Sequence, residues 1–523
     1  MSSKSIFLGV PLYNERMFIR KKKNRSGSVS IQVIDKSKKY RVIKTIGVSS
    51  DPDTIEQLLK QGNWWINQKN KNQLKLFPFQ TREEQTIEGF LSQLENTQVR
   101  TVGPELIFGK LFDQIGFNKI PDELFRQLVI TRLAYPASKL KTADYLYRYQ
   151  GVVIAIDAIY RFLDKLENRY QKEVESIAYE YTKKVMGGKI SIVFYDLTTL
   201  YFEAEEEDDL RKIGFSKDGK FNQPQIMVGL LVGRDGYPIG YDIFEGNTFE
   251  GHTLIPVIKK FETKFNLKKP IIIADAGLLS KDNLKSLAEA CYAYIVGARI
   301  KNESETVKQK ILKLSLTEKE NKTIKKAHGI SLIVSYSAKR AKKDRDNREK
   351  GLRRLEKKIK SGKLTKEHIN NRGYNKFLKL TGTVTISIDY AKYHEEQKWD
   401  GVKGYLTNSK LKETTVIENY NQLWQIEKAF RISKTDLRIR PIYHRLKRRI
   451  EAHICIAFVA HTIYKALERL LVLHKLPFSP ARAAELTHTI YALEYEEPSS
   501  LTKKTILLKM DDIQQQLYNA VNS

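Results

Sequence analysis

The sequence predicts an α/β protein built on a mixed β-sheet, interrupted by a basic insertion and flanked by helical regions. Three observations carry this. Between residues 189 and 299, three apolar strand patterns run in succession before helix and strand begin to alternate. Between 300 and 415 that alternation gives way to strand-like runs around a strongly basic stretch. Residues 104–185, and the chain from 416 onward, repeat their apolar positions at helical spacing.

The elements follow in order. Residues 17–47 alternate and are punctuated by Ser26-Gly27 and Lys36-Ser37, predicting a small antiparallel meander with a basic rim. Residues 1–60 are therefore a small N-terminal β-rich segment. Helical patterns such as TIEQLLKQGNWWINQKN and EQTIEGFLSQLENT open a helical region at 61–188. The strand KISIVFYDLTTLYF (189–202) is apolar and β-branched, as a buried central strand should be. QIMVGLLVGRDGYPIGYDIFEGN (225–247) reads as two strands joined at Asp235-Gly236, a strong hairpin signal. A helix at 252–265, the strand PIIIADAG (270–277), the helix SKDNLKSLAEA and the strand YAYIVGAR (292–299) complete the series. This is the order of a ribonuclease-H-like core. Residues 189–299 form its first part, 300–415 an insertion, 416–475 its last part, and 476–523 a helical tail.

Charge narrows the partner. Lys plus Arg number 91 against 61 Asp plus Glu, a net +30 with a pI of about 9.6. Such an excess calls for a polyanion, nucleic acid before an anionic membrane surface. The most apolar helical stretch, 453–473, carries His453, His461, Lys465, Glu468 and Arg469, too polar for a lipid-exposed span. The N-terminus lacks the pattern of a secretory signal, so a cytoplasmic protein with no membrane partner is expected. Cys291 and Cys455 can build neither a disulfide framework nor a four-ligand zinc site. The positive charge concentrates in two places. Residues 339–366 hold 14 basic and four acidic residues, and 434–449 hold seven and one. The second stretch suits a grip on the DNA backbone, and the basic edges of 61–188 suit a DNA-binding unit as well as helix packing.

Three acids stand where solubility does not explain them. Asp196 lies inside an apolar strand, where a charge is costly unless paired or bound to metal. Asp275 ends the run PIIIAD at a strand's carboxyl end, where open α/β sheets place ligands. Glu427 lies on a helical pattern among Leu423, Trp424, Ile426 and Phe430. Each has an ordinary alternative: a turn cap, a strand-end residue beside Gly277, and an ion pair with Arg431 four residues on. Together they form an oxygen-only ligand set suited to Mg²⁺, with Mn²⁺ as a substitute. Two such ions serve phosphodiester chemistry. The run EAEEEDD (203–209) is expected to be a solvated loop, not a further metal site.

The segments YDLTTLYFE, IADAGLLSKDNLKSL and YNQLWQIEKAFRISKTDLRIRPIYH resemble those of DDE transposases of bacterial insertion sequences, the IS-four-like group and its branch with a long insertion before the last acid. The glutamate helix of that family bears Tyr, then Arg three, Glu seven and Lys fourteen residues later. Tyr420, Glu427 and Lys434 match, whereas Leu423 stands at the Arg position, leaving Arg431, Arg438 or Arg440 to take over that phosphate contact. Seven-residue intervals put Tyr420, Glu427 and Lys434 on one face of one helix.

The resemblance implies a metal-dependent enzyme that cuts double-stranded DNA at an element's ends and joins them to target DNA, working as a homodimer on two ends. Asp196, Asp275 and Glu427 would be its catalytic residues and metal ligands. Trp424, and in the insertion Trp399, are candidates to stack on an extruded base, and His444 is a candidate phosphate contact or helix cap. Two other outcomes stay open on the residues alone: a nuclease or resolvase of the same core that does not join, and a non-catalytic DNA-binding derivative.

Overall fold

Alternation in the first fifty residues becomes a three-stranded antiparallel sheet of β1 (Met17–Lys23), β2 (Val29–Asp35) and β3 (Arg41–Ser49), in that order. The computed structural model describes residues 17–36, 39–73, 88–92, 94–95, 98–216, 219–275, 277, 280–370, 373–381, 385–496 and 502–523. It divides into two units, Met1–Leu94 and Glu95–Ser523. In the first, a lone three-stranded sheet has to cover its apolar face. The helix Pro52–Gln73 does so, packing Ile66 against Met17 and Val33. The boundary expected at residue 60 thus falls inside this helix. Residues 84–87 of the second predicted helix lie outside the described residues, and 88–92 are helical.

The second unit opens on β4 (Val99–Thr101) and a set of helices up to Val185. Its strands are β5 (Ile192–Tyr201), β6 (Gln225–Val232), β7 (Pro238–Glu245), β8 (Ile271–Ala274) and β9 (Tyr294–Ala298). They stand in the order β7-β6-β5-β8-β9, with β6 antiparallel to both neighbours and β8 parallel to β5 and β9. That is the predicted ribonuclease-H-like order. The β6–β7 turn is made at Asp235 (φ 58°) and Gly236 (φ 76°), the paired positive φ values a tight hairpin needs. One face of β5 presents Phe194 and Leu200 to a core shared with the long helix Lys447–Leu473. The other presents Val193, Tyr195 and Leu197 to the helices Leu254–Phe265 and Lys281–Glu289.

The predicted insertion is less separate than its sequence implies. Its β10 (Asn321–Lys325), β11 (Ser331–Tyr336) and β14 (Val402–Thr407) continue the core sheet, with β14 antiparallel on β9. Leu332, Val334 and Trp399 form a cluster there, so the apolar strands bury themselves by extending an existing sheet. Only 338–397 stands apart. It consists of the basic helix Ala338–Lys360, the hairpin of β12 (Leu378–Thr381) and β13 (Thr385–Ile388), and the helix Tyr390–Gln397. These share their own core of Leu355, Phe377, Leu378 and Tyr393.

The helix Lys447–Leu473 is buried on nearly all sides, which accounts for its apolar sequence. Among the described residues no helix is long and apolar enough to cross a membrane. The expected helical tail is mixed. β15 (Tyr491–Glu496) and β16 (Lys503–Leu507) form a hairpin between two short helices, and β15 pairs with β4. Their period-two patterns, YALEYE and KKTIL, are short enough to be overlooked beside the helices.

Candidate active site

The parallel pairing of β5 with β8 runs Val193 with Ile272, Phe194 with Ile273 and Tyr195 with Ala274. Asp196 and Asp275 are the next residue on each strand, so the two aspartates follow in register on neighbouring strands. Asp275 is exposed just past the carboxyl end of β8, whereas Asp196 is half-buried within β5. The Leu197 N–H donates to Asp196 Oδ1 at 2.8 Å. Lying inside a strand, Asp196 caps no turn.

Strand alternation puts Asp196 on the same face as Thr198 and Leu200. The glutamate helix Trp424–Thr435 covers that face: its Phe430, Ser433 and Lys434 line a small cavity with Thr198 and Leu200. Ile426, Ala429 and Ile432 point into the core, which leaves Glu427 exposed on the helix's first turn. Among the described residues Glu427 forms no ion pair with Arg431.

The expected single helix is broken. One helix spans Glu413–Asn421, and the next begins at Trp424 after a turn at Gln422 and Leu423. Tyr420 therefore does not share a helix face with Glu427 and Lys434. Released from that face, it is buried in edge contact with Tyr405 (centroids 5.1 Å apart), with Lys403 Nζ 4.6 Å from its ring centre. Burial, then the negative charge of Asp275, the neighbouring Tyr405 and Glu427, push the Tyr420 phenol up to about 12, against the opposing pull of Arg340. The hydroxyl thus feels two of the three acids and stays protonated at neutral pH. The Lys403 ammonium is pushed down by burial and Arg340, and Asp275 acts against both. Lys403, Arg340 and Tyr405 were not singled out by the sequence, because all three belong to segments that read as insertion.

The remaining candidates scatter. Leu423 packs half-buried against the core, so the missing Arg of the signature is replaced by an apolar contact. Arg431 and Arg438 are exposed, the latter at φ 43°. Arg440 lies 5.6 Å from the ring centre of Tyr201, at the end of β5, with Lys220 Nζ 5.5 Å from the same ring. Trp424 is 51% exposed, with Lys428 Nζ 5.8 Å from its ring centre. Trp399 is buried and cannot stack on a base. His444 is also buried, pushed down to about 4 by desolvation and by Lys139, Arg132 and Arg449. It is neutral at pH 7 and does not present a cation to the surface. In the acidic run, Asp208 accepts from the Leu210 and Arg211 N–H groups and pairs with Arg211 Nε at 2.7 Å.

Among the described residues no three carboxylate, imidazole or thiol side chains are gathered closely enough to enclose one metal ion. The donor set still fits a hard divalent cation. All three acids offer oxygen only, and Mg²⁺ commonly takes one or two carboxylates and completes its shell with water. The aspartates in register supply such a pair.

Comparison with known proteins bears on this geometry. A family model described as transposase DDE domain matches residues 187–463, which spans β5 to the long buried helix. Among solved structures, a piggyBac transposase synaptic complex with hairpin DNA is similar over 74% of this chain and 76% of that one, at 9% identity and a TM-score of 0.36. No curated protein matches the chain. A match over more than half of the chain, enclosing Asp196, Asp275 and Glu427, places this protein in the transposase DDE-domain family: it is a transposase, an enzyme that acts on DNA.

Proposed function

We propose that this transposase cuts double-stranded DNA at the ends of its element and joins those ends to target DNA, with Asp196, Asp275 and Glu427 as the ligands of two Mg²⁺ ions that Mn²⁺ can replace. The observation that supports the reading is the register of β5 on β8, which brings the two aspartates into register on neighbouring strands, with the glutamate helix over the Asp196 face of β5. When bound, the ions would supply activation of the attacking oxygen and charge stabilisation on the leaving one.

The chain's own residues do the rest. Asp196 and Asp275 fix one side of the cation site from rigid strands, and Glu427 approaches it from the helix. Tyr420, protonated and a hydrogen-bond donor, holds a phosphate oxygen near the acids. Lys434, Arg431, Arg438 and Arg440 position the backbone on either side, and Trp424 offers a stacking face to an unpaired base. Two copies of the chain hold two DNA ends in one synaptic assembly, in the cytoplasm where the DNA lies.

Cleavage and strand transfer on labelled end-bearing duplexes test the reading. Asp196→Ala, Asp275→Ala and Glu427→Ala should each abolish Mg²⁺-dependent cutting and joining while DNA binding persists. Near-native activity in any of them removes that residue from the ligand set. Cutting by the wild-type chain with no joined product would instead make it a nuclease.

A further inference from the structure

Beyond the end of β5, where Arg440 lies over Tyr201, a groove of about 680 Å³ runs between the loop at Tyr135–Lys139 and the segment Arg438–His444. Its lining is unusual in charge. Arg132 and Lys139 are 5% and 6% exposed, His444 and His453 are also buried, and no Asp or Glu lines the groove. Neither Arg132 nor Lys139 forms an ion pair among the described residues. Arg132 Nη1 reaches only the main-chain carbonyls of Leu437 and Arg438, both at 3.5 Å, and so uses a fraction of its five donors. His453 Nε2 donates to the Ile439 carbonyl at 3.0 Å, leaving Nδ1, inside the protein, without a hydrogen-bond partner.

Buried cations without a counter-charge are costly, and natural proteins keep them where an anion completes the site. Burial and Arg132 both push the Lys139 ammonium well down, and the two histidines are pushed down by burial first and then by the same pair of cations. The cluster therefore repels itself as it stands. An entering oxyanion would relieve that repulsion and accept from guanidinium and ammonium together.

We propose that this groove seats a phosphate group of the DNA substrate between Arg132 and Lys139, with Arg440 at its mouth. The site deepens the DNA-end reading above and rests on it for the identity of the phosphate. The phosphate is either an interior phosphodiester or the terminal 5′-phosphate of a cut end.

The test uses the full chain and its Lys139→Met and Arg132→Met variants, which keep an unbranched apolar stem while deleting the charge. Inorganic phosphate, compared with chloride at equal ionic strength, should raise the melting temperature of the wild type and leave that of Lys139→Met unmoved. Because Lys139→Met removes a buried unpaired charge, its own melting temperature in chloride should equal or exceed the wild type's. A drop would mark Lys139 as a structural residue and overturn the site. Binding to a short duplex should weaken about tenfold, and the salt dependence should fall by about one phosphate contact. A wild-type preference for 5′-phosphorylated over 5′-hydroxyl ends, erased in Lys139→Met, assigns a terminal phosphate. An equal loss on both duplexes assigns an interior one. Unchanged affinity and salt slope on both, in variants whose wild-type parent still cuts DNA, overturns this site and leaves the catalytic reading intact. Loss of cutting by the three acid variants is unaffected by either result.

Discussion

Asp164 holds Arg449 with both carboxylate oxygens, each 2.9 Å from a guanidinium nitrogen, and accepts from Arg448 Nε at 2.8 Å as well. The contact joins the helix Ile156–Lys165 to the first turn of the helix Lys447–Leu473. Two of the seven cations counted at 434–449 are thereby paired within the chain. The proposed grip of that stretch on DNA is left to the others.

Removing this carboxylate should cost stability. The hydrogen bond from Arg449, ahead of the one from Arg448, draws Asp164 from 3.8 down to about 2. A depressed carboxylate stabilises the fold above its unfolded value, and that contribution disappears as pH falls through the folded one. Asp164→Asn should therefore lose roughly 1–2 kcal/mol at pH 7 and little at pH 2, measured by urea unfolding. It should also bind non-specific DNA more tightly at low salt, since Arg448 and Arg449 are released.

Tyr420→Phe removes one hydroxyl and no packing volume. Strand transfer should slow by about 10- to 100-fold, as when one donor to a reacting phosphate is lost, while the melting temperature barely moves. With the phenol held protonated up to about 12, wild-type activity should show no loss attributable to Tyr420 between pH 7 and 10. An alkaline fall that the Phe variant abolishes would contradict this.

Trp424 is half-exposed beside Glu427, so its replacement by Ala leaves the core intact. DNA containing an unpaired base at the end should bind Trp424→Ala more weakly by about 1–3 kcal/mol. Fully paired duplex should show a smaller change. Equal losses on both substrates would assign Trp424 to general contact instead of stacking.

Three buried histidines make the fold sensitive to acid. His444 and His461 are pushed down to about 4 and about 3, chiefly by burial, and His453 well below its usual range for the same reason. Unfolded, each titrates near 6.5, so between that value and the folded one the unfolded chain binds more protons. Stability must then fall as pH drops from 6.5 towards 4. Urea unfolding at pH 7 and pH 5 should show His444→Gln losing less than the wild type, by roughly 2 kcal/mol.

Much of the candidate site was legible because each acid violates the rule of its own segment. Asp196 interrupts an apolar strand, Asp275 ends one, and Glu427 sits between core positions. The sheet order was legible too, since β5 to β9 are strongly apolar and separated by turn signals such as Asp235-Gly236. What could not be read were relations that depend on folding at a distance. Nothing local distinguishes β10, β11 and β14 from strands of a separate domain, because edge-to-edge pairing is decided by backbone hydrogen bonds. The break at Gln422 and Leu423 lies inside a continuous helical pattern, and it separates Tyr420 from the face that spacing assigns it. His444 lies in a basic, polar run and looks exposed, but segments three hundred residues upstream enclose it. Arg132 and Lys139 gave a fainter signal, a cation set among Ile130, Leu133 and Ala134 and another following Pro136-Ala137-Ser138.

The continuation of the core sheet through β14, β11 and β10 has a mechanical meaning. The arm at 338–397 is clamped at its root, where Ser337 N–H donates to the Gly401 carbonyl at 3.0 Å and Arg348 pairs with Asp400. That root is stitched by backbone bonds to the strands that carry Asp196 and Asp275. The arm has no free hinge at its base. A pull on the basic helix reaches the strands of Asp196 and Asp275 as tension in a stiff plate, so any swing of the arm must come from its own small core.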